Sequence, residues 1–314
     1  MPPHDPERLT APPDPEELEA SHSPVHGALP AESRMGTVHL TVADLERSLD
    51  YYTRAIGLSI LERSHGQARL GTGARELLRL VERPGARPAR GHTGLYHFAL
   101  LVPRRFDLAR WLAHAIRDRV ALVGLSDHFV SEALYLSDPD EHGIEIYWDR
   151  PRELWEGQVA SRMTTLPLDV QDLLGELEVP GGLDNPPDQP YAGLPSETAM
   201  GHVHLKVADV APTLRFYRDV IGFGLMAQLG PRAVFLSAGG YHHHLGANTW
   251  ESAGASPPPP DAAALRHATL VLPDPRAREE LLGRLEASGQ PLERRGEVTL
   301  TRDPSGNALA LAVA

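Results

Sequence analysis

Short runs of alternating apolar residues, each series broken by one amphipathic stretch of helical period, recur along this chain. In TVHLTVADLERSLDYYTRAIGL (37–58) the opening residues alternate as a strand does. Asp44 stands as a helix N-cap, and Gly57 closes the short helix that follows. Three strand-like runs come next: LSILERS, QARLGTG and ELLRLVE. HVHLKVADVAPTLRFYRDVIGF (202–223) repeats the opening at a constant offset. Val38, His39, Leu40, Val42, Ala43, Asp44, Leu49, Tyr52, Ile56 and Gly57 recur unchanged in it. Its helix starts at Asp209 and stops at Gly222, and GLMAQLG, AVFLSAG and HHHLGAN complete it. Each unit reads as β-α-β-β-β.

Two weaker copies complete the pattern. LYHFALLVP (95–103) leads into the helix DLARWLAHAIRD, and LRHATLVLP (265–273) leads into PRAREELLGRLEAS. Both run on through strands that close on an Asp-Pro turn, Asp138-Pro139 and Asp303-Pro304. The repeat predicts an α+β fold of four βαβββ modules, two in each of two domains spanning 35–150 and 199–314. At 314 residues the chain is long enough to bury two cores. The Pro-rich, acidic stretch 1–34 reads as a disordered or loosely docked tail, and 151–198 as a linker.

Composition narrows the chemistry. The net charge of -12 and the lack of a basic run interleaved with aromatics argue against a nucleic-acid partner. With Cys 0, thiolate metal sites, disulfides and cysteine nucleophiles are excluded, which fits a reducing, cytoplasmic setting. No apolar run approaches the roughly 20 residues that span a bilayer. Any metal site must draw on carboxylates and the 16 histidines.

The stretch Ser126 to Asp149 concentrates that chemistry. His128 precedes a strand-like run, the Asp138-Pro139 turn follows, and Glu145 interrupts the apolar series Ile144, Ile146, Tyr147, Trp148. A carboxylate between apolar walls needs a cation or strong donors. With histidines at hand, a metal is the economical cation.

Four such modules with H-x-x-L-x-V-x-D openings resemble the vicinal oxygen chelate superfamily of glyoxalases, bleomycin-resistance proteins and extradiol dioxygenases. GLYHFALLVP, SDHFVSEALYLSDPD, GIEIYWDRP, GHVHLKVADV and GGYHHHLGANTW look like the two-domain bacterial catechol 2,3-dioxygenases. The resemblance implies cup-shaped mixed sheets and a 2-His-1-carboxylate Fe(II) site, a donor set that also suits Mn(II). It further implies a small aromatic diol and O2 as substrates, in aromatic hydrocarbon catabolism. His128, Tyr135, Asp138-Pro139 and Glu145 match the family signature, whereas Ser126 and Glu141 depart from it, Glu141 standing where a turn glycine is usual.

In the superfamily, first-strand histidines and a last-strand acid bind the metal. The matching positions are Thr37, His97, His202 and His267, with Glu145 and Ala310 at the last strands. His97, Glu145 and His202 then form the ligand set if modules two and three share a cup, leaving modules one and four with a degenerate one. His39, on the same face as Thr37, is the rival third ligand within a first-domain cup. His128 is the proposed acid/base, with Tyr135 and His243, or its neighbours His242 and His244, as hydrogen-bonding partners of substrate or oxygen. His267 reads as part of a decayed site, and His4, His22, His26, His65, His92 and His114 as ordinary tail, loop or helix residues. ERPGARPARG (82–91) reads as a solvated loop. The alternatives to an extradiol dioxygenase are a glyoxalase-like isomerase or hydroquinone dioxygenase, and a non-catalytic binding or resistance protein. A homo-oligomer is neither required nor excluded, since four modules in one chain can complete the cups.

Overall fold

The computed structural model describes residues 27–177, 191–296 and 298–314. The tail residues 1–26, with His4, His22 and His26, and linker residues 178–190 lie outside the described residues.

Four βαβββ modules follow one another along the chain. The first holds β1 (Arg34–Val42), α1 (Leu45–Tyr51), β2 (Ser59–Ser64), β3 (Gln67–Thr72) and β4 (Arg75–Glu82). The second holds β5 (Gly94–Leu101), α2 (Arg105–Arg117), β6 (Gly124–Asp127), β7 (Ser131–Ser137) and β8 (Gly143–Asp149). The stretch read from sequence as a linker carries α3 (Val159–Arg162), β9 (Leu166–Pro167) and α4 (Val170–Gly175) in its described part. The third module holds β10 (Ala199–Lys206), α5 (Val210–Arg215), β11 (Gly224–Leu229), β12 (Ala233–Ser237) and β13 (Leu245–Asn248). The fourth holds β14 (Leu265–Leu272), α6 (Pro275–Ala287), β15 (Glu293–Arg295), β16 (Val298–Arg302) and β17 (Ala308–Val313).

Local chemistry sets the repeated helix. The Asp44 side chain accepts from the Arg47 N–H, and Asp209 accepts from Ala211 N–H, satisfying donors that a helix start leaves open. Both helices widen into a π-helical turn and stop where Gly57 (φ 90°) and Gly222 (φ 101°) take the left-handed conformation. Residues 27–33 lie against the same turn of the third module: the Leu29 N–H donates to the Gly222 carbonyl, and Leu29 is buried.

The modules pair across the two halves of the chain. One sheet of 9 strands runs β11-β12-β13-β10-β5-β8-β7-β6-β9, joining modules two and three. The other, of 8 strands, runs β15-β16-β17-β14-β1-β4-β3-β2 and joins modules four and one. The antiparallel pairs β5–β10 and β1–β14 stitch the halves together. Strand alternation then divides each sheet. Val38, Leu40, Phe98, Leu100, Ile144, Ile146, Val203 and Leu205 pack into the shared apolar core. Burying each such side chain fully contributes about 1.5–3 kcal/mol. The residues between them, His97, Glu145, His202 and His204, point to the opposite, concave face.

The closing turns repeat as well. Asp138 Oδ1 accepts from the backbone N–H groups of Asp140 and His142, while Asp303 Oδ1 accepts from those of Ser305 and Asn307. Tyr52 donates to Asp138 Oδ2 at 2.8 Å, and Tyr217 donates to Asp303 Oδ2 at 3.2 Å, so each repeat helix pins the turn of its neighbouring module. Burial pushes both carboxyls up. His142 beside Asp138 outweighs that and brings it below its ordinary value, whereas Asp303, facing neutral Asn307, stays above. Tyr52→Phe removes a buried hydrogen bond to a charged acceptor and is expected to cost about 2 kcal/mol in chemical denaturation. Tyr217→Phe, whose bond is longer and whose acceptor is more readily protonated, is expected to cost less.

Glu141 occupies the turn position that Gly306 fills in the fourth module, and it keeps the same left-handed backbone: φ is 67° at Glu141 and 85° at Gly306. The turn is therefore not rebuilt around the missing glycine. A left-handed non-glycine residue costs roughly 1–2 kcal/mol, and the Arg90–Glu141 ion pair at this exposed site offsets little of that. Glu141→Gly is expected to raise Tm by roughly 2 °C in a thermal scan; a fall in Tm would show that the ion pair matters more than the strain.

Candidate metal centre

Three adjacent strands bring three donors together. His97 comes from β5, Glu145 from β8 and His202 from β10. Their ligand atoms converge: His97 Nε2 to Glu145 Oε2 is 3.0 Å, His202 Nε2 to the same oxygen is 3.1 Å, and the two Nε2 atoms are 3.3 Å apart. These are the only residues among those described that group as metal donors. Donors bonded at about 2.1 Å to one octahedral ion stand about 3.0 Å apart along an edge, so the spacing fits a divalent ion on one face of the trio.

Electrostatics point the same way. Glu145 is 2 % exposed. Burial alone would raise its pKa, but His202 and His97 facing it hold the carboxyl well below the usual range, so it is an anion. Burial pushes His202 below the ordinary histidine value despite Glu145 beside it, leaving its lone pair free for a metal. An enclosed anion facing two imidazole nitrogens calls for a cation.

Glycines make the approach possible. A Cβ on Gly143 would come within 2.0 Å of the Tyr96 carbonyl oxygen, next to His97. A Cβ on Gly201 would strike the Tyr147 hydroxyl at 1.8 Å, next to His202.

His97 and Glu145 line a cavity of about 780 Å³, with His202 buried beside them. His128 and Tyr135 line one side of it. His128 Nδ1 lies 2.7 Å from the Thr164 carbonyl, which can only accept, so that nitrogen carries the proton. His128 Nε2 then accepts from the Tyr135 hydroxyl at 2.7 Å. Burial, and then Glu145 across the β7–β8 ladder, lift the Tyr135 phenol well above its ordinary pKa and keep it protonated. The residue after His128, Phe129, is left-handed (φ 67°), held by an Asp127 carboxylate that accepts its N–H and by Arg162 over its ring. The former linker thus supplies Thr164 to orient His128, and Met163, Thr164 and Thr165 wall the cavity.

The histidine triplet corrects one expectation. β13 begins at Leu245, so His242 to His244 do not alternate as strand residues. The rings of His242 and His243 touch, with Nδ1 atoms 2.8 Å apart. Asp149 draws His242 out of register: its Oδ1 lies 2.7 Å from His242 Nε2, and Tyr241 donates to its Oδ2. The carboxylate must accept, so His242 carries its proton on Nε2 and its bare Nδ1 accepts from His243 Nδ1. That leaves His243 Nε2 as the acceptor toward the cavity, beside the His202 ring at 4.1 Å between centroids. Burial holds His243 and His244 neutral, the latter near pKa 3, and His244 Nδ1 accepts the Ala238 N–H at the back of the wall. Asp149 could have been found in the sequence: Glu145, Tyr147 and Asp149 alternate onto one face of β8. So could His204, two residues from His202; it is buried in the cavity wall.

His39 does not join the trio. It lies on β1 in the other sheet, opposite His267, with rings 3.8 Å apart. That cup, of about 490 Å³, presents Thr37 and Ala310 at the corresponding positions. Burial, then His267 and Arg79, drive His39 to a pKa of about 3. The 82–91 loop is also more than solvated: Arg90 pairs with Glu141 at the cavity rim. No helix among the described residues is long and apolar enough to cross a membrane.

Known proteins share this design. The model of the Glyoxalase/Bleomycin resistance protein/Dioxygenase superfamily matches residues 34–146 and 199–311. A Bacillus subtilis (strain 168) protein named catechol-2,3-dioxygenase is 41% identical over 283 residues, covering 88% of this chain and 96% of its own. Among solved structures, a chain from Bacillus subtilis subsp. subtilis str. 168 superposes with a TM-score of 0.59 at 15% identity, covering 91% of this chain and 86% of its own. Glyoxalase I from Zea mays gives 0.53 at 16%, covering 89% and 92%. At those identities the structural likeness speaks for the fold.

Proposed function

This chain belongs to the Glyoxalase/Bleomycin resistance protein/Dioxygenase superfamily, and on that premise we propose that it is an Fe(II)-dependent extradiol dioxygenase that opens a catechol-type ring with O2. The observation that carries this reading is the buried His97–Glu145–His202 convergence at the floor of a cavity with titratable groups on both sides. The catechol-2,3-dioxygenase name of the 41% identical relative supports it.

His97, Glu145 and His202 would hold the metal. Fe(II), when bound there, supplies open positions for the two oxygens of a catechol and for O2 and lets electron density pass between them. The rest falls to the chain. Leu95, Val130, Met163 and Phe235 exclude water from the bound ring. His243, its proton fixed on Nδ1, offers Nε2 to take a proton from one substrate hydroxyl and return it as the ring opens. The Tyr135–His128 pair holds the proton of a group on the opposite side, with Thr164 fixing the imidazole tautomer. A glyoxalase-like isomerase would use a second carboxylate in the third module, where this chain places histidines.

Anaerobic purification, addition of iron and exposure to catechol in air is expected to give a yellow ring-fission product. One bound iron per chain without turnover of any catechol would favour a different metalloenzyme, and failure to bind metal a non-catalytic protein. At a hundredfold excess over its dissociation constant, a bound ion stabilises by about 2.7 kcal/mol, so chelation is expected to lower Tm by several degrees.

A further inference from the structure

The cavity extends well past the donor trio. Spaces of ~300–1,000 Å³ hold drug-sized ligands, and this one measures about 780 Å³. Bare catechol is a single ring with two hydroxyls and leaves much of it empty.

The surplus space has one continuous wall. His204 follows His202 on the same face of β10, about 7 Å outward, directly across the ladder from His97. Its ring meets Tyr96 at 5.4 Å, Phe235 at 5.6 Å and Trp250 at 5.4 Å between centroids, and Tyr96 meets Trp250 at 5.3 Å. Gly246 makes room for this arrangement, because a Cβ there would come within 2.9 Å of the His204 ring. Two details mark the wall as unfinished. His204 Nε2 is enclosed with no hydrogen-bond partner, and Trp250, at the mouth, leaves 43% of its surface in water. The rim holds two cations, but both face acids: Lys206 lies 4.0 Å from Glu251, and Arg90 pairs with Glu141. The rim therefore offers no lone cation to a carboxylate.

We propose that the substrate is a catechol carrying a bulky, uncharged, largely planar ring substituent, such as an aryl group, which lies along the Tyr96–His204–Phe235–Trp250 wall. His204 and Trp250 set the preference, His204 by its flat face and Trp250 by closing over the outer edge. The catechol end of this substrate rests on the extradiol reading; the substituent end rests on the wall alone.

Titration calorimetry of the iron-loaded protein under anaerobic conditions, with catechol, 3-phenylcatechol and 4-phenylcatechol, tests it. At least one phenylcatechol is expected to bind about tenfold or more tighter than catechol, the scale that a buried ring with aromatic contacts contributes. In Trp250→Ala and His204→Ala the ratio is expected to fall below about threefold. Comparing two ligands within one variant keeps the ratio meaningful even where iron loading is incomplete. If His204→Ala does not fold, the exposed Trp250 decides. Equal binding of all three ligands by the wild type, or a ratio that neither variant moves, overturns the proposal. Cleavage of catechol in air without any binding preference would leave the extradiol reading standing and remove this one. A binding preference without cleavage of any of the three ligands would do the reverse.

Discussion

On the proposed Fe(II) reading, Glu145→Gln is expected to weaken iron binding by more than about 100-fold, since even partners outside the ligand set are worth 10–100-fold. The change keeps the shape of the side chain and removes the only anion among the three donors. Ring cleavage is expected to fall at least as far. The metal-free variant should lose stability as well: His202 and His97 favour the buried anion, and a neutral amide forfeits that interaction. Iron content per chain and the Tm of the metal-free forms are the two measurements. A variant that retains full iron would show that Glu145 is a structural acid. His202→Ala and His97→Ala are expected to lose iron likewise, while His39→Ala, in the other sheet, should keep it.

The second large effect is expected at His243. Removing a positioned general acid or base costs typically 10²–10⁴-fold, so His243→Phe should lower kcat by about 10²-fold or more with iron content unchanged. Asp149→Asn separates a proton role from mere packing. The substituted side chain fills the same space, but its amide can donate to His242 and turn the bare nitrogen of His243 away from the cavity. About a tenfold loss in kcat, with KM little altered, is the expected result. An unchanged kcat in Asp149→Asn would mean that His243 needs no orientation from Asp149.

Much of this was legible in the chain because it rests on local periodicity. The recurrence of Val38 to Gly57 at Val203 to Gly222 fixes strand, cap and helix stop, and those features are determined by residues close in sequence. The His97–Glu145–His202 set followed once module two was matched to module three, and the topology places those modules in one sheet. The alternative through His39 stayed open in the sequence because alternation shows which face a residue shares, not which sheet it joins. The histidine triplet misled for a related reason. Alternation applies to residues held in a ladder, and here a carboxylate on β8, distant in sequence, pulls His242 and His243 onto each other. Thr164 was hidden more deeply: it contributes a backbone carbonyl to His128, and no side-chain pattern announces that. Glu141 is the reverse case, a residue that departs from the usual turn glycine although its backbone keeps the left-handed shape.

The crossed pairing of modules also has a consequence for how the activity is inherited along the chain. The first half owns His97 and Glu145, the second owns His202 and His243, and only the β5–β10 ladder unites them. Neither half, made as a separate polypeptide, carries a complete donor set. Co-produced as fragments, they would regain iron only by reassembling that ladder, which makes metal uptake a natural reporter of fragment complementation.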